Sequence, residues 1–177
     1  MIDIETERLI LRLVPLAALA STAAEMVEVT QGLIGEKLPQ QWFDLSWVFK
    51  TRYEQWVEDP GFAPWSIRAI ALKSSGQIVG NMNCHHKPMP FTLNGQTSLG
   101  VEMGYTIFDD WQRQGIAYEA VTGFITWAKS QRLESIILSI QPSNIASLAL
   151  AKKFNAVKIG SQMDDRDGLE DIYHFSC

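Results

Sequence analysis

The sequence predicts an α/β (α+β) domain in which helices pack on a mixed sheet. Segments with strand-like alternation and segments with helical spacing interleave in the order β-α-α-β-β-β-α-β-α-β-β. No repeat, linker or low-complexity stretch divides the 177 residues, so the expectation is one domain, 1–177, long enough to bury a full core. The hydrophobic fraction of 46% and charged fraction of 20% are those of an ordinary globular protein, which excludes a disordered or fibrous chain.

The elements follow in order. "RLILRLV" (Arg8 to Val14) is rich in β-formers and is ended by Pro15. Alanines and leucines then recur at helical spacing from Leu16 to about Glu28, with Ser21 and Thr22 as mild interruptions. "GLIGEKLPQ" is a connection punctuated by glycine and proline. A second helix is predicted from about Gln40 to Glu58, stopped by Asp59-Pro60-Gly61. Its Trp42, Phe49, Tyr53 and Trp56 share one stripe, which serves as a core face or, at its edge, as the lining of a substrate pocket. "WSIRAIAL" and "IVGNMNCHH", joined by "KSSGQ", form a hairpin. "KPMPFTLNGQTS" is expected to be a loop before a long strand, Leu99 to Phe108. The turn "DDWQRQG" leads into a helix from about Ile116 to Gln131. "ESIILSIQ" is a strand, "PSNIASLALAKKFN" a short helix, "AVKIGSQ" a strand, "MDDRDGLE" a charged loop and "DIYHFSC" the last strand.

Several function classes are disfavoured. The net charge is −5 and no Lys/Arg-rich run is present, so no nucleic-acid partner is expected, whereas a cationic partner such as an amine is compatible. The apolar runs are too short for a bilayer, and "MIDIETERLI" lacks an apolar signal region, so no membrane partner and a cytoplasmic location are expected. Two cysteines, Cys84 and Cys177, make no disulfide framework. Cys84-His85-His86 matches no zinc spacing, and neighbours in a strand face opposite ways, so no metal is expected.

The turn "QRQGIA" raises a chemical question. A helix N-terminus presents unpaired amides and about half a positive charge, and so attracts anions. Gly115 permits close approach to the backbone, and the amides of Gln114, Gly115, Ile116 and Ala117, with Arg113 beside them, could cradle a pyrophosphate. A helix start that merely needs a flexible residue explains the turn equally well. Neither G-x-x-x-x-G-K-[ST] nor G-x-G-x-x-G occurs elsewhere to supply a phosphate site. Glu102 lies between apolar neighbours on the preceding strand, where a carboxylate is costly unless it is paired, hydrated or functional. A salt bridge is the bland alternative. Gly104, two residues on, suggests a bulge or a close approach. Asn144 precedes the short helix, where Asn is a preferred cap; Ser147 stands where a capping box wants Glu or Gln.

"VEMGYTI…WQRQGIAYEAV…WA" with "NIASLALAKKF" resembles the GNAT superfamily of acyl-CoA-dependent N-acetyltransferases, and within it the branch that acetylates ribosomal-protein N-termini. The resemblance covers nearly the whole chain. It implies a mostly antiparallel mixed sheet splayed between the family's fourth and fifth strands, with acetyl-CoA as co-substrate. Gln112, Gly115 and Ala117 fall on the Q/R-x-x-G-x-G/A signature of the pyrophosphate loop. The backbone of Tyr105, Thr106 and Ile107 would pair with the pantetheine arm, and Asn144 and Ser147 would contact its end. Glu102 would be the general base and Ser147, or a water, the general acid, because the position of the family's usual Tyr is Ala151. Asn155-Ala156 replaces the usual Gly-Phe after that helix, and Asn tolerates the left-handed conformation required there. The implied activity is acetyl transfer to a primary amine of a peptide or small molecule by direct attack, without a covalent acyl-enzyme. A non-catalytic acyl-CoA-binding sensor or interaction module is the alternative. The aromatic stripe also permits a homodimer contact.

Overall fold

The computed structural model describes residues 3–177. Nine strands lie among them: β1 (Ile4–Glu5), β2 (Leu9–Leu13), β3 (Arg68–Leu72), β4 (Ile78–Cys84), β5 (Met89–Leu93), β6 (Gln96–Ile107), β7 (Ser135–Ile140), β8 (Val157–Asp164) and β9 (Gly168–Ser176). The helices are α1 (Leu16–Ala23), α2 (Val27–Ile34), α3 (Gln40–Phe43), α4 (Ser46–Glu58), α5 (Ile116–Ser130) and α6 (Ile145–Lys153). Two compact units are present, one holding the chain up to Lys87 with Tyr105–Phe124, the other Pro88–Gly104 with Ile125–Cys177.

In the first unit β1, β2, β3 and β4 pair antiparallel in that order, and the end of β6 lies beside β4. The helix expected from Leu16 to Glu28 is two helices, because Glu25 adopts a φ of 54° between them. Ser21 and Thr22, which only interrupt the pattern in sequence, are buried and hold the helices together. Thr30 Oγ1 of α2 donates to Ser21 Oγ at 2.8 Å, and Trp42 Nε1 donates to Thr22 Oγ1 at 3.1 Å. The predicted Gln40–Glu58 helix is likewise broken, at Asp44-Leu45. The break leaves its stripe intact: Trp42 and Phe49 are fully buried with ring centroids 4.7 Å apart, and Trp56 is buried beyond them. Three residues of the aromatic stripe thus face the core, and Tyr53 at its edge is half-buried. Cys84 is buried at the end of β4, and burial pushes its thiol up to about 12 against the pull of Arg52 and Arg68. Such a thiol is not a nucleophile at neutral pH.

The start of α5 is tied to the turn between β1 and β2 by one carboxylate. Glu119 accepts from Thr6 Oγ1 at 2.6 Å, from the Arg8 amide at 2.7 Å and from Arg8 Nε at 2.6 Å. Burial pushes Glu119 upward, but these donors and the Arg8 charge outweigh it and hold the carboxyl below its ordinary value. One turn later α5 passes so close that a Cβ on Gly123 would lie 2.4 Å from Thr6 Cγ2. Thr6 cannot swing away without losing its bond to Glu119 and the 3.0 Å bond its Oγ1 accepts from the Leu9 amide.

In the second unit the residues expected to form a loop are a hairpin. β5 pairs antiparallel with β6 from Leu93↔Gln96 to Met89↔Gly100. Asn94 (φ 50°) and Gly95 (φ 78°) turn it, the two left-handed residues that a tight hairpin with the right twist needs. Pro90 obscured the strand in sequence and is tolerated because β5 is an edge. β6 pairs in parallel with β7 over Gly100–Glu102 and Ser135–Ile137, and continues five residues beyond the last of those pairs. β9 pairs antiparallel with β7, and β8 with β9. The sheet is therefore mixed and mostly antiparallel, as the sequence predicts. Ile136, Leu138 and Phe175 face the core, where Phe154 after α6 stacks on Phe175 at 5.3 Å. The other face is largely polar.

Two stability experiments test this packing. Gly123→Ala is expected to lower the unfolding free energy by about 1–3 kcal/mol through overpacking against Thr6, although Ala is the better helix former. Gly32→Ala in α2, where a Cβ would meet nothing within 4 Å, is expected to raise it by about 0.5–1 kcal/mol. Denaturant melts of both variants give the two signs. Glu119→Gln is expected to lower the melting temperature at pH 7. A lowered folded-state pKa contributes stability above the unfolded value of about 4.3 and loses it as pH falls through the folded value. The gap between variant and wild type should therefore narrow as pH falls below about 4.3; a constant gap down to pH 2.5 would contradict the assignment.

Candidate active site

The loop in the first unit begins where β6 ends. Beside it, β4 approaches so closely that a Cβ on Gly80 would lie 2.2 Å from the Thr106 carbonyl oxygen. That packing covers one side of the Tyr105–Ile107 backbone. The Phe108 amide donates to the Val79 carbonyl at 2.9 Å, and a short 3-10 turn spans Asp109–Trp111. Two of the three polar residues that precede the glycine fold back onto this turn. The Gln112 side-chain amide donates to the Ile107 carbonyl at 3.1 Å and to Asp109 at 2.9 Å. Gln114 Nε2 donates to the Asp110 carbonyl at 3.1 Å.

Arg113 (φ 60°) and Gly115 (φ 78°) are both left-handed. A Cβ on Gly115 would make only ordinary contact with Arg8, 3.5 Å from a guanidinium nitrogen. The backbone conformation alone thus accounts for a glycine here. The first helical bond of α5 runs from the Glu119 amide to the Gly115 carbonyl at 3.1 Å. The amides of Ile116 and Ala117 precede it and have no acceptor within the helix. Ile116 is buried and anchors the turn, while Ala117 is half-buried.

Arg8 is the residue of this loop that the sequence reading missed. Its Nε is engaged by Glu119, and its guanidinium also donates to the Gln114 carbonyl at 3.2 Å. The interactions span 111 and 106 residues of sequence, so no local signal could reveal them. Gln112 to Ala117 thus lie at the N-terminus of a 15-residue helix, with the exposed Arg113 among them and Arg8, paired with Glu119, beside them. That set can hold an anionic group.

The second unit holds Glu102, Asn144 and Ser147. Glu102 is half-buried on β6, and its Oε1 accepts from Ser139 Oγ of β7 at 2.6 Å. One partner of the carboxylate is thus a neutral hydroxyl. Ser139 Oγ in turn accepts from Gln162 Nε2 of β8 at 3.3 Å, and the same amide reaches Glu170 of β9 at 3.4 Å. Glu170 is held above its ordinary value, by burial first and by the charges of Asp167, Asp164 and Glu102, against the opposing bond from Gln162. Ser139, Gln162 and Glu170 were not singled out in the sequence. Ser139 carries the same signal that exposed Glu102, a polar residue inside an apolar strand, "SIILSI".

Asn144 caps α6: its Oδ1 accepts from the Ser147 amide at 3.0 Å. Its oxygen is accounted for by the helix, and Ser147 is half-buried on the opening turn. Ala151 is buried with 2% exposure, so a small residue fills the position where the resembled family commonly places a Tyr. Asn155 takes the left-handed conformation expected of it, with φ 55°. Among the described residues no group of three or more His, Cys, Asp or Glu could hold a metal ion, and no helix is long and apolar enough to cross a membrane.

Known proteins share this architecture. The ribosomal-protein-S5-alanine acetyltransferase of Vibrio fischeri matches with a TM-score of 0.66 at 20% identity, over 99% of this chain and 97% of that one. An acetyltransferase of Agrobacterium tumefaciens matches with a TM-score of 0.65 at 20% identity, over 99% and 94%. The microcin C7 self-immunity acetyltransferase MccE, solved with acetyl-CoA and AMP, matches with a TM-score of 0.62 at 15% identity, over 97% and 93%. At such identities these likenesses speak to the fold. The sequence itself matches the family model of the acetyltransferase (GNAT) domain over residues 8–157, a span that takes in Arg8, the Gln112–Ala117 loop, Glu102 and α6, and the chain belongs to that family of acyltransferases.

Proposed function

We propose that the chain, as one catalytic domain over residues 1–177, is an acetyl-CoA-dependent N-acetyltransferase acting on a primary amine by direct attack. The observation that carries the proposal is the start of α5. Helix amides without helical acceptors, an exposed Arg113 and a glycine in the left-handed region form a donor set that suits a pyrophosphate. Gln112 to Ala117 would hold that group, the backbone of Tyr105 to Ile107 would receive the pantetheine arm, and Asn144 and Ser147 would meet its end. Bound acetyl-CoA would supply an acyl carbon activated as a thioester.

The protein's own part is proton handling and positioning. Glu102 takes the proton of the attacking amine. A β6 amide near Met103 or Gly104 stabilises the developing oxyanion. Ser147, or a water, returns a proton to the departing thiolate. The acceptor is a peptide N-terminus or a small-molecule amine; the ribosomal-protein acetyltransferases among the structural neighbours support the first.

Calorimetric titration with acetyl-CoA is expected to give micromolar binding that Gly115→Glu weakens at least about tenfold by placing a negative charge in the cradle. Gly115→Asn, which tolerates the left-handed backbone, separates charge from strain and should bind better than the Glu variant. No binding by the wild-type protein would reduce the loop to a helix start. For turnover, the panel is a peptide with a free N-terminal alanine, spermidine, kanamycin and lysine, read by thiol release. Glu102→Gln is expected to lower kcat on the order of a hundredfold with acetyl-CoA affinity unchanged. Full kcat across pH would retire Glu102 as the base. Binding without turnover of any amine would return the chain to the sensor reading, which Ala151 favours.

A further inference from the structure

We propose that Ser139 is a positioning residue for this reaction, fixing the carboxylate of Glu102 and keeping it ionised; the inference rests on Glu102 acting as the base. Strand register places the residues concerned on one face. Glu102 is opposite Ile137 in the parallel pair, and Ser139 follows two residues later on the same side of β7. Ser139 is opposite Ile172, so Glu170 shares that side of β9, and Gln162 is directly opposite Glu170. The hydrogen bonds agree with this placement. Glu102 therefore sits at one end of a polar chain that crosses four strands and ends at a second carboxylate.

The direction of the chain follows from donor counting. A serine hydroxyl has one hydrogen to give. The Gln162 Nε2 group can only donate, and it occupies the acceptor side of Ser139 Oγ at 3.3 Å. The hydroxyl hydrogen is thereby aimed at Glu102, which as an ionised carboxylate can only accept, at 2.6 Å. A donated hydrogen bond favours the charged form of a carboxylate. It also fixes the terminal torsion, which is otherwise broad in Glu. Gln162 has a second task. By donating to both Ser139 and Glu170, it places a neutral amide between two carboxylates on one face. Ser139 thus contributes orientation and charge state, and acts only through Glu102.

The test uses the full-length chain with the panel amine turned over fastest. Ser139→Ala is expected to lower kcat about tenfold, the worth of one hydrogen bond to a charged group, with the KM and calorimetric Kd for acetyl-CoA unchanged. Ser139→Thr, which keeps the hydroxyl and suits a strand, should restore kcat to within about threefold of wild type. In a Glu102→Gln background, Ser139→Ala should cause no further loss, because its target is gone. Wild-type kcat for Ser139→Ala would overturn the proposal while leaving Glu102 as the base. An equal loss in both backgrounds would also overturn it, since the serine would then act on folding or on another step. Full activity of Glu102→Gln alone would remove the base, and the role of Ser139 with it.

Discussion

The Glu119 carboxylate is the interaction on which the organisation of the first unit rests. It sits in the first turn of α5, where the helix dipole already favours a negative charge. There it collects a hydroxyl, an amide and a guanidinium from the turn between β1 and β2. The consequences extend in both directions along the helix. Towards the N-terminus, Arg8 is held where its guanidinium also engages the Gln114 carbonyl, so the shape of the loop depends on a residue more than 100 positions away. Towards the C-terminus, Thr6 is pinned against the helix so tightly that only glycine fits at position 123. The shape of the loop and the close packing of the helix are thus two results of one pairing.

The second unit is organised by strand alternation. One face of β7 and β9 buries Ile136, Leu138 and Phe175 against the core. The other carries Glu102, Ser139, Gln162 and Glu170 in hydrogen-bonded sequence. Further along the same face, Ser98 and Ser135 are 2.6 Å apart, and His174 lies 3.0 Å from Ser135 and stacks on Phe91. Burial holds His174 below its ordinary value and so favours the neutral ring, which suits a histidine that shares a hydrogen bond with a serine and stacks on a phenyl ring. Two polar clusters on this face are each internally bonded, one around the buried Ser135 and one of half-buried residues with the exposed Gln162.

What the sequence revealed and what it hid divide along physical lines. Strands with strong alternation, the "KSSGQ" hairpin and the turn before α5 are local signals and were legible. The hairpin of β5 and β6 carried a strong local signal too, Asn94-Gly95, but Pro90 and Pro88 outweighed it in the reading. The two helix breaks were illegible for a different reason. Glu25 and the Asp44-Leu45 step carry no glycine or proline; across the first break Thr30 is bonded to Ser21, and ahead of the second Trp42 is bonded to Thr22. Gln112 and Gln114 were noticed for the right reason, as polar residues ahead of a glycine. Their side chains nevertheless brace the turn itself. Arg8, Glu119 and Gln162 were invisible because each acts across the fold, whereas Ser139 could have been found by the logic that found Glu102.

The proton chemistry of the proposed reaction explains why a polar scaffold around Glu102 matters more than the Tyr that Ala151 replaces. A departing thiolate has a conjugate acid near pKa 8.5, so the neutral thiol is its favoured form at neutral pH and the proton can come finally from solvent. An attacking amine is harder to prepare. A peptide α-amine, near 7.7–8.0, is largely protonated at neutral pH, and a lysine-like amine near 10.4 almost wholly so. The base must therefore be a fixed, ionised group. The proposed roles fit that asymmetry. On the acid side, α6 presents a buried Ala151 and a Ser147 whose amide is committed to the Asn144 cap. On the base side, a hydroxyl, an amide and a second carboxylate are arranged in series behind Glu102. On the proposed roles, with Ser147 or a water returning the proton to the leaving group, the tyrosine can be spared, but not the hydrogen bond that aims the base.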